Sequence, residues 1–356
     1  MKENDYLVWP DLLKIASVYA VIMIHSAAPL LVQYCERGAT DWWIGNLYDA
    51  FSRWCIPLFI MISGTFVLGN VHDQSLGRFF RKRARRVVIP FLIWSFIYFL
   101  WRIYGNNEAL ALSSFPVMIF TEPIYYHLWY LYVIIGLYLL APFLDIYLKN
   151  AERQNVSYFL MLWFITASLL PMVESYFDVR IYLSTGASNT VFTLLGYFVL
   201  GYVLRDMLLR PVQMLRYLLL FLLAFFMTAS GTYYVTVRQN DGIFDGIFYE
   251  YFSVNVLAMS LAIFAIGKNI TLPAVVLRFE KRFGIFRTTA SCVPGMYLIH
   301  AMLIEISKEG LLGFTFSQTT LHPALGIPVF AFGIFLASLA VVFIVKLIPV
   351  IRFIVP

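Results

Sequence analysis

Long apolar stretches alternate with short polar ones along almost the whole chain. A helix that crosses a bilayer needs about 20 mostly apolar residues, and about ten stretches of this kind are present. No polar block is long enough to form a separate soluble domain. We therefore predict an all-α, polytopic membrane protein with a single membrane domain over residues 1–356. The predicted helices are 11–33, 47–69, 87–105, 127–148, 155–175, 189–209, 214–234, 249–268, 291–306 and 323–348.

One further apolar segment, residues 107–126, does not follow this pattern. Pro116 and Pro123 interrupt it, and proline disrupts the interior of a helix. We interpret it as an outer segment that dips into the membrane, which requires protein or a water-filled cavity to cover its backbone. The alternative is an eleventh crossing, which would move every later loop to the opposite side.

Basic residues are concentrated on one side of the predicted helices. Of the 26 Lys and Arg residues, 19 lie in the terminal segments and in loops of one parity, and the densest group lies in residues 70–86. Cytoplasmic loops of membrane proteins carry such an excess of Lys and Arg. The pattern predicts that both termini are cytoplasmic and that the number of crossings is even.

Composition agrees with a membrane location and argues against other classes. Hydrophobic residues make up 61% of the chain and charged residues 13%, whereas soluble domains carry about 25% charged residues. The net charge of +6 does not indicate a nucleic-acid partner, because the basic residues lie in short loops between apolar stretches. The cysteines Cys35, Cys55 and Cys292 form no metal motif and predict no disulfide framework. The first apolar run is too long for the core of a cleavable signal peptide.

Two polar residues share one face of the first predicted helix. Lys14 and His25 are eleven positions apart, which closes about three turns and separates them by about 16 Å along the axis. Lys14 then lies near the cytoplasmic surface and His25 in the outer half. An ionisable residue within a membrane is a functional candidate, although His25 can also be a hydrogen-bonded contact between helices. Asp11 can offset the helix dipole and pair with Lys14.

Five stretches in this order resemble the acyltransferase-3 family of membrane O-acyltransferases. The family's first helix typically carries Arg-x10-His, where this chain has Lys14-x10-His25. The other stretches are Pro57-Leu-Phe-Ile-Met-Ile-Ser63-Gly64, the basic run Arg81-Lys-Arg83-Ala-Arg85-Arg86, Tyr126-His127-Leu-Trp129 and Tyr297-Leu-Ile-His300. Among members, the chain looks most like the stand-alone type that O-acetylates enterobacterial common antigen.

The resemblance implies an enzyme of the bacterial cytoplasmic membrane that uses cytoplasmic acetyl-CoA and a surface glycan or lipid-linked sugar. It implies no permanently bound cofactor. His25 is the expected general base, or the site of an acyl intermediate. Anionic CoA is expected at Lys14, Arg83, Arg85 and Arg86, although a basic cytoplasmic loop also arises from topology alone and attracts anionic lipid. Lysine at position 14 lacks the two-pronged guanidinium of the usual arginine.

Residues near the outer side are expected to contact the acceptor. Arg53, near the outer end of the second predicted helix, can bind an anionic group or extend to the interface. The further candidates are Glu122, His127, Trp129 and Glu174, each of which can instead be an ordinary loop or interface residue. His300 is expected to bond a neighbouring helix, and Ser63-Gly64 to allow close helix packing.

Two other functions fit some of these observations. A polysaccharide or lipid-linked sugar transporter also uses charged residues within the membrane, but many transporters contain inverted repeats, and no clear repeat is visible here. A membrane scaffold without catalytic activity would tolerate loss of His25 and Lys14. A homo-oligomer is compatible with the sequence.

Overall fold

The computed structural model describes residues 7–32, 40–185, 190–311 and 313–356, and this part of the chain is helical without β-strands. Cys35, Lys2 and Arg37, used above for the cysteine and charge arguments, lie outside the described residues. In chain order the helices are α1 (Trp9–Leu31), α2 (Thr40–Val67), α3 (Leu76–Tyr104), α4 (Phe115–Thr121), α5 (Trp129–Asn150), α6 (Arg153–Phe177), α7 (Thr190–Val203), α8 (Pro211–Gln239), α9 (Val254–Lys268), α10 (Ala274–Phe283), α11 (Ile285–Lys308) and α12 (Pro323–Leu347).

In the described ranges, nine helices are long and apolar enough to cross a membrane. They are α1, α2, α3, α5, α6, α8, α9 with the turn that precedes it from Ile247, α11 and α12. The predicted all-α, polytopic membrane class is therefore confirmed. The remaining predicted crossing, residues 189–209, corresponds to α7, which is apolar but only 14 residues long. This is shorter than the roughly 20 residues that span a bilayer.

The segment 107–126 contains only short helical pieces. Its helix α4 has 7 residues, which extend over about 10 Å and cannot cross a bilayer. The eleventh crossing is thereby excluded. Val117 and Phe120 on α4 are exposed, whereas Ile119 is buried against the bundle.

Two helices begin well before their predicted starts. Helix α2 begins at Thr40 rather than at residue 47, and α3 begins at Leu76 rather than at residue 87. Their first turns are polar, so an apolar window excludes them. In α2 a turn at Arg53 and Trp54 joins two helical halves. Arg53 therefore lies at the middle of the helix and not near its outer end.

Helices α2 and α7 approach each other at two glycines. A Cβ atom on Gly64 would lie 1.8 Å from the Phe198 carbonyl oxygen, and one on Gly201 would lie 1.9 Å from that of Met61. The Thr65 hydroxyl also donates to the Gly201 carbonyl at 2.8 Å. Small residues permit such contact between membrane helices, as expected for Ser63-Gly64.

Helix α1 lies inside the bundle, against α2, α11 and α12. Its residues Val18, Ile22 and Ala27 are fully buried. The face that carries His25 is therefore turned toward other helices and not toward lipid. Cys55 and Cys292 are buried free thiols.

Candidate active site

His25 lies six residues before the end of α1 and takes part in a cluster of aromatic rings. Its ring centroid is 5.3 Å from that of His300 on α11, with the two planes 26° apart. The Tyr126 ring, on the segment before α5, is 4.8 Å away in an edge contact. His25 is partly exposed, so the cluster retains an opening.

Two further imidazoles belong to the cluster: the ring centroids of His300 and His127 are 5.0 Å apart. His300 Nδ1 is 2.6 Å from the Tyr297 carbonyl oxygen, and His127 Nε2 is 3.3 Å from that of Leu298. A carbonyl oxygen only accepts hydrogen bonds, so each of these ring nitrogens carries the proton when the ring is neutral. The remaining nitrogen of each ring then holds a lone pair.

Both lone-pair nitrogens are buried without a partner. His300 is 0% exposed and His127 is 1% exposed. Among the described residues, His300 Nε2 and His127 Nδ1 have no hydrogen bond. A buried acceptor without a donor is costly and requires an explanation, such as a catalytic role.

Tyrosine hydroxyls hold α11 and the segment before α5 in place. The Tyr98 hydroxyl donates to the Leu298 carbonyl at 2.7 Å and accepts from the Met302 N–H at 3.2 Å. The Tyr98 hydroxyl thus lies between the Leu298 carbonyl and the Met302 N–H, one turn apart on α11. The Tyr297 hydroxyl donates to the His127 carbonyl. The positions of His127 and His300 are therefore fixed by backbone contacts from three elements.

The opening of the cluster lies on the predicted outer side. Tyr126, which contacts His25, is 47% exposed. Next to it, the Tyr125 hydroxyl donates to the Glu305 carboxylate on α11. The charges of Arg53 and Lys308 lie close enough to act on the His25 ring.

Arg53 and Trp129 belong to a second group beside the cluster. The Arg53 side chain donates to the fully buried carboxylate of Asp49, one turn earlier on α2, and lies 4.2 Å from the centre of the Tyr249 ring. Trp129 stacks on Tyr251, with the ring centroids 5.5 Å apart. Tyr251 lies close enough to Arg53 to interact with it electrostatically. Because Asp49 compensates its charge, Arg53 is an internal ion-pair partner and does not extend to the interface.

A cavity of about 640 Å³ extends into the bundle from the end that carries the basic residues. Five cations from separate parts of the chain line it: Lys14, Lys82, Arg83, Arg86 and Lys346. Their convergence at one end agrees with the sidedness expected from the loop charges. The remaining wall is largely apolar and includes residues of α2, α5 and α11.

Arg83 is the most enclosed of these cations. Its guanidinium lies 5.0 Å from the centre of the Phe79 ring and 4.8 Å from that of Tyr138. Its Nε is buried and has no acceptor among the described residues. Lys14 instead has its Nζ 3.1 Å from Asp11, the pairing expected from the sequence. The cavity therefore offers cationic groups that phosphate or carboxylate oxygens can bind.

The cavity adjoins the histidine cluster at Tyr297 and Leu298. Tyr297 and Leu298 form part of its wall, and their carbonyl oxygens accept the hydrogen bonds from His300 and His127. Tyr130 also lines the cavity, and its ring centroid is 5.3 Å from that of Tyr297. The cavity and the histidine cluster therefore share two residues of α11, Tyr297 and Leu298.

Three predicted site residues lie elsewhere in the described part of the chain. Arg85 is exposed and is not among the residues that line the cavity, because it points away from Arg83 and Arg86 on the same helix. Glu122 is exposed, with its backbone carbonyl accepting from Tyr132. Glu174 accepts from the Ile181 N–H at 2.6 Å and stabilises the loop that follows α6.

The structure adds residues that the sequence prediction did not place in the site. His300 bonds its own helix, not a neighbouring one, and its ring contacts His25; its signal was the stretch Tyr297-Leu-Ile-His300. Lys82 and Lys346 join the cavity lining. Among the described residues, no group of His, Cys, Asp and Glu could hold a metal ion.

Comparison with known proteins identifies the family of the chain. A family model described as an acyltransferase domain matches residues 7–347, nearly the whole chain. No curated protein and no solved structure gives a significant match. Since the model covers the cavity, the histidine cluster and the helices that carry them, the chain belongs to the acyltransferase-3 family and is a membrane acyltransferase.

Proposed function

We propose that the protein transfers an acetyl group from cytoplasmic acetyl-CoA to a hydroxyl of a cell-surface glycan or lipid-linked sugar. It would act in the bacterial cytoplasmic membrane, as the stand-alone enzymes that modify enterobacterial common antigen do. The observation that supports the proposal is that the histidine cluster adjoins a cationic cavity through Tyr297 and Leu298 and contacts the exposed Tyr126.

The cavity suits an anionic donor. CoA carries phosphates, and Lys14, Arg83 and Arg86 supply cations on the cavity wall, with the Arg83 Nε unpartnered. The apolar wall beyond them suits the uncharged pantetheine arm. The thioester would then lie near Tyr297 and Leu298, the lining residues that hold His300 and His127 beside His25.

His25 supplies the base for the acceptor. It takes the proton of the acceptor hydroxyl, and the hydroxyl oxygen attacks the thioester carbonyl carbon. The C–O bond forms, the C–S bond breaks, and the CoA thiolate leaves and takes up a proton. The net result is one ester and one free thiol. An acetyl group carried briefly by His25 gives the same products through two steps.

The test uses purified protein in detergent, acetyl-CoA and a glycan extract from the producing cells. The wild type is expected to release CoA thiol and to increase the glycan mass by acetyl units. His25→Ala should abolish both, whereas His322→Ala, a change at an exposed loop histidine, should not. A fully active His25→Ala protein would refute the base assignment. Glycan movement across vesicles without any acetyl-CoA dependence would favour the transporter.

A further inference from the structure

The unexplained feature of the cluster is the buried, unpartnered Nε2 of His300. We propose that His300 is a positioning residue for His25, and that its Nε2 accepts the N–H that His25 gains when it takes up a proton. This inference rests on the proposed function, in which His25 is the base.

His300 is held as an acceptor toward the cluster. Its Nδ1–H donates to the Tyr297 carbonyl, so Nε2 keeps its lone pair. The ring is 0% exposed, and water does not reach this nitrogen from the surface. Two imidazoles contact this ring: His127, at 5.0 Å between centroids, and His25, at 5.3 Å. The one N–H of neutral His127 already donates to the Leu298 carbonyl, so His25 is the imidazole that can supply a further N–H.

Protonation of His25 creates the need for this acceptor. A neutral imidazole has one N–H, and an imidazolium has two, so proton transfer adds a donor. The charged groups nearby cannot accept this N–H: Lys308 and Arg53 are cations, and Asp49 is paired with Arg53. Tyr126 and His127 also face His25, and the Glu305 carboxylate on α11 already accepts from Tyr125.

The arrangement favours the reacting state over the resting state. In the resting protein Nε2 has no partner, and the bond forms only as His25 becomes positive. An interaction made only in the transition state raises kcat without changing substrate affinity. If His300 had only a structural role, its substitution would not lower kcat while leaving substrate affinity unchanged.

Three substitutions of His300 distinguish the nitrogens. His300→Gln places an amide oxygen near the Nε2 position, His300→Asn keeps only the donor to Tyr297, and His300→Phe keeps the ring alone. In the CoA-release assay we expect Asn and Phe to lower kcat about tenfold or more, with an unchanged KM for acetyl-CoA, and Gln to restore kcat to within about threefold of wild type. Wild-type kcat in His300→Asn, or equal loss in Gln and Asn, would overturn the proposal.

A second measurement does not depend on the substrate. Diethyl pyrocarbonate acylates the lone-pair nitrogen of a neutral imidazole, and the ring becomes positive as it reacts. Peptide mass spectrometry should show slower modification of His25 in the Asn and Phe variants than in wild type, with Gln near wild type and exposed His322 unchanged in all. Equal His25 rates in the four proteins would refute the role of His300. If the wild type released no CoA, the proposed function would fail, and these rates alone would decide on His300.

Discussion

The Arg53 guanidinium is paired with the Asp49 carboxylate at the middle of α2, where Asp49 is 0% and Arg53 17% exposed at the side chain. Removing one member of a buried ion pair leaves an uncompensated charge, which costs about 3–5 kcal/mol. We expect Arg53→Met to lower the unfolding free energy in detergent by this order. The double variant Arg53→Met, Asp49→Leu should lose less, because it removes both charges. Equal stability of the wild type and Arg53→Met would contradict the pairing.

The cavity predicts different effects for neighbouring arginines. Arg83→Ala and Arg86→Ala each remove a cation from the cavity wall, and we expect each to raise the KM for acetyl-CoA about tenfold, the scale of one charge-assisted hydrogen bond. Arg85 is exposed outside the lining, so Arg85→Ala should have a smaller effect. Arg153→Ala, at the exposed first residue of α6, is the control. Equal effects for all four would indicate attraction by net charge alone.

Position 14 tests whether CoA binding needs only a cation. Lys14 lines the cavity while paired to Asp11. We expect Lys14→Met to raise the KM for acetyl-CoA, and Lys14→Arg, which restores the usual family residue, to keep or lower it. Both constants come from the CoA-release assay. An unchanged KM in Lys14→Met would remove Lys14 from the donor site.

The close approach of α2 and α7 predicts a contrast between two glycines. Gly64→Ala places a methyl group against the Phe198 carbonyl and should lower thermal stability in detergent, since the helices must separate. Gly77→Ala meets nothing within 4 Å on α3 and should be neutral or stabilising by up to about 1 kcal/mol. Similar melting temperatures for the two variants would contradict the packing.

The sequence predicts those site residues whose chemistry is visible along one helix. Lys14 and His25 lie on a single uninterrupted helix, so spacing alone predicts that they share a face. Loop charge predicts which end carries the cations. Pro116 and Pro123 interrupt the apolar segment 107–126, so the sequence predicts that this segment does not cross the membrane.

Residues whose role depends on distant parts of the fold were harder to predict. His300 lies 275 positions after His25, and only tertiary packing brings the two rings together. Arg53 was misplaced because the polar first turns of α2 resemble a loop. The bond from the Ile181 N–H to Glu174 could not be predicted, because a carboxylate that accepts from a nearby backbone N–H has no distinct sequence signal.

The stretch Tyr297-Leu298 serves two compartments at once. One surface of these residues borders the cationic cavity, while their carbonyl oxygens orient His300 and His127. A molecule bound in the cavity therefore contacts the residues whose carbonyl oxygens hold the two imidazoles. We therefore expect occupancy of the cavity and the orientation of the imidazoles to depend on each other.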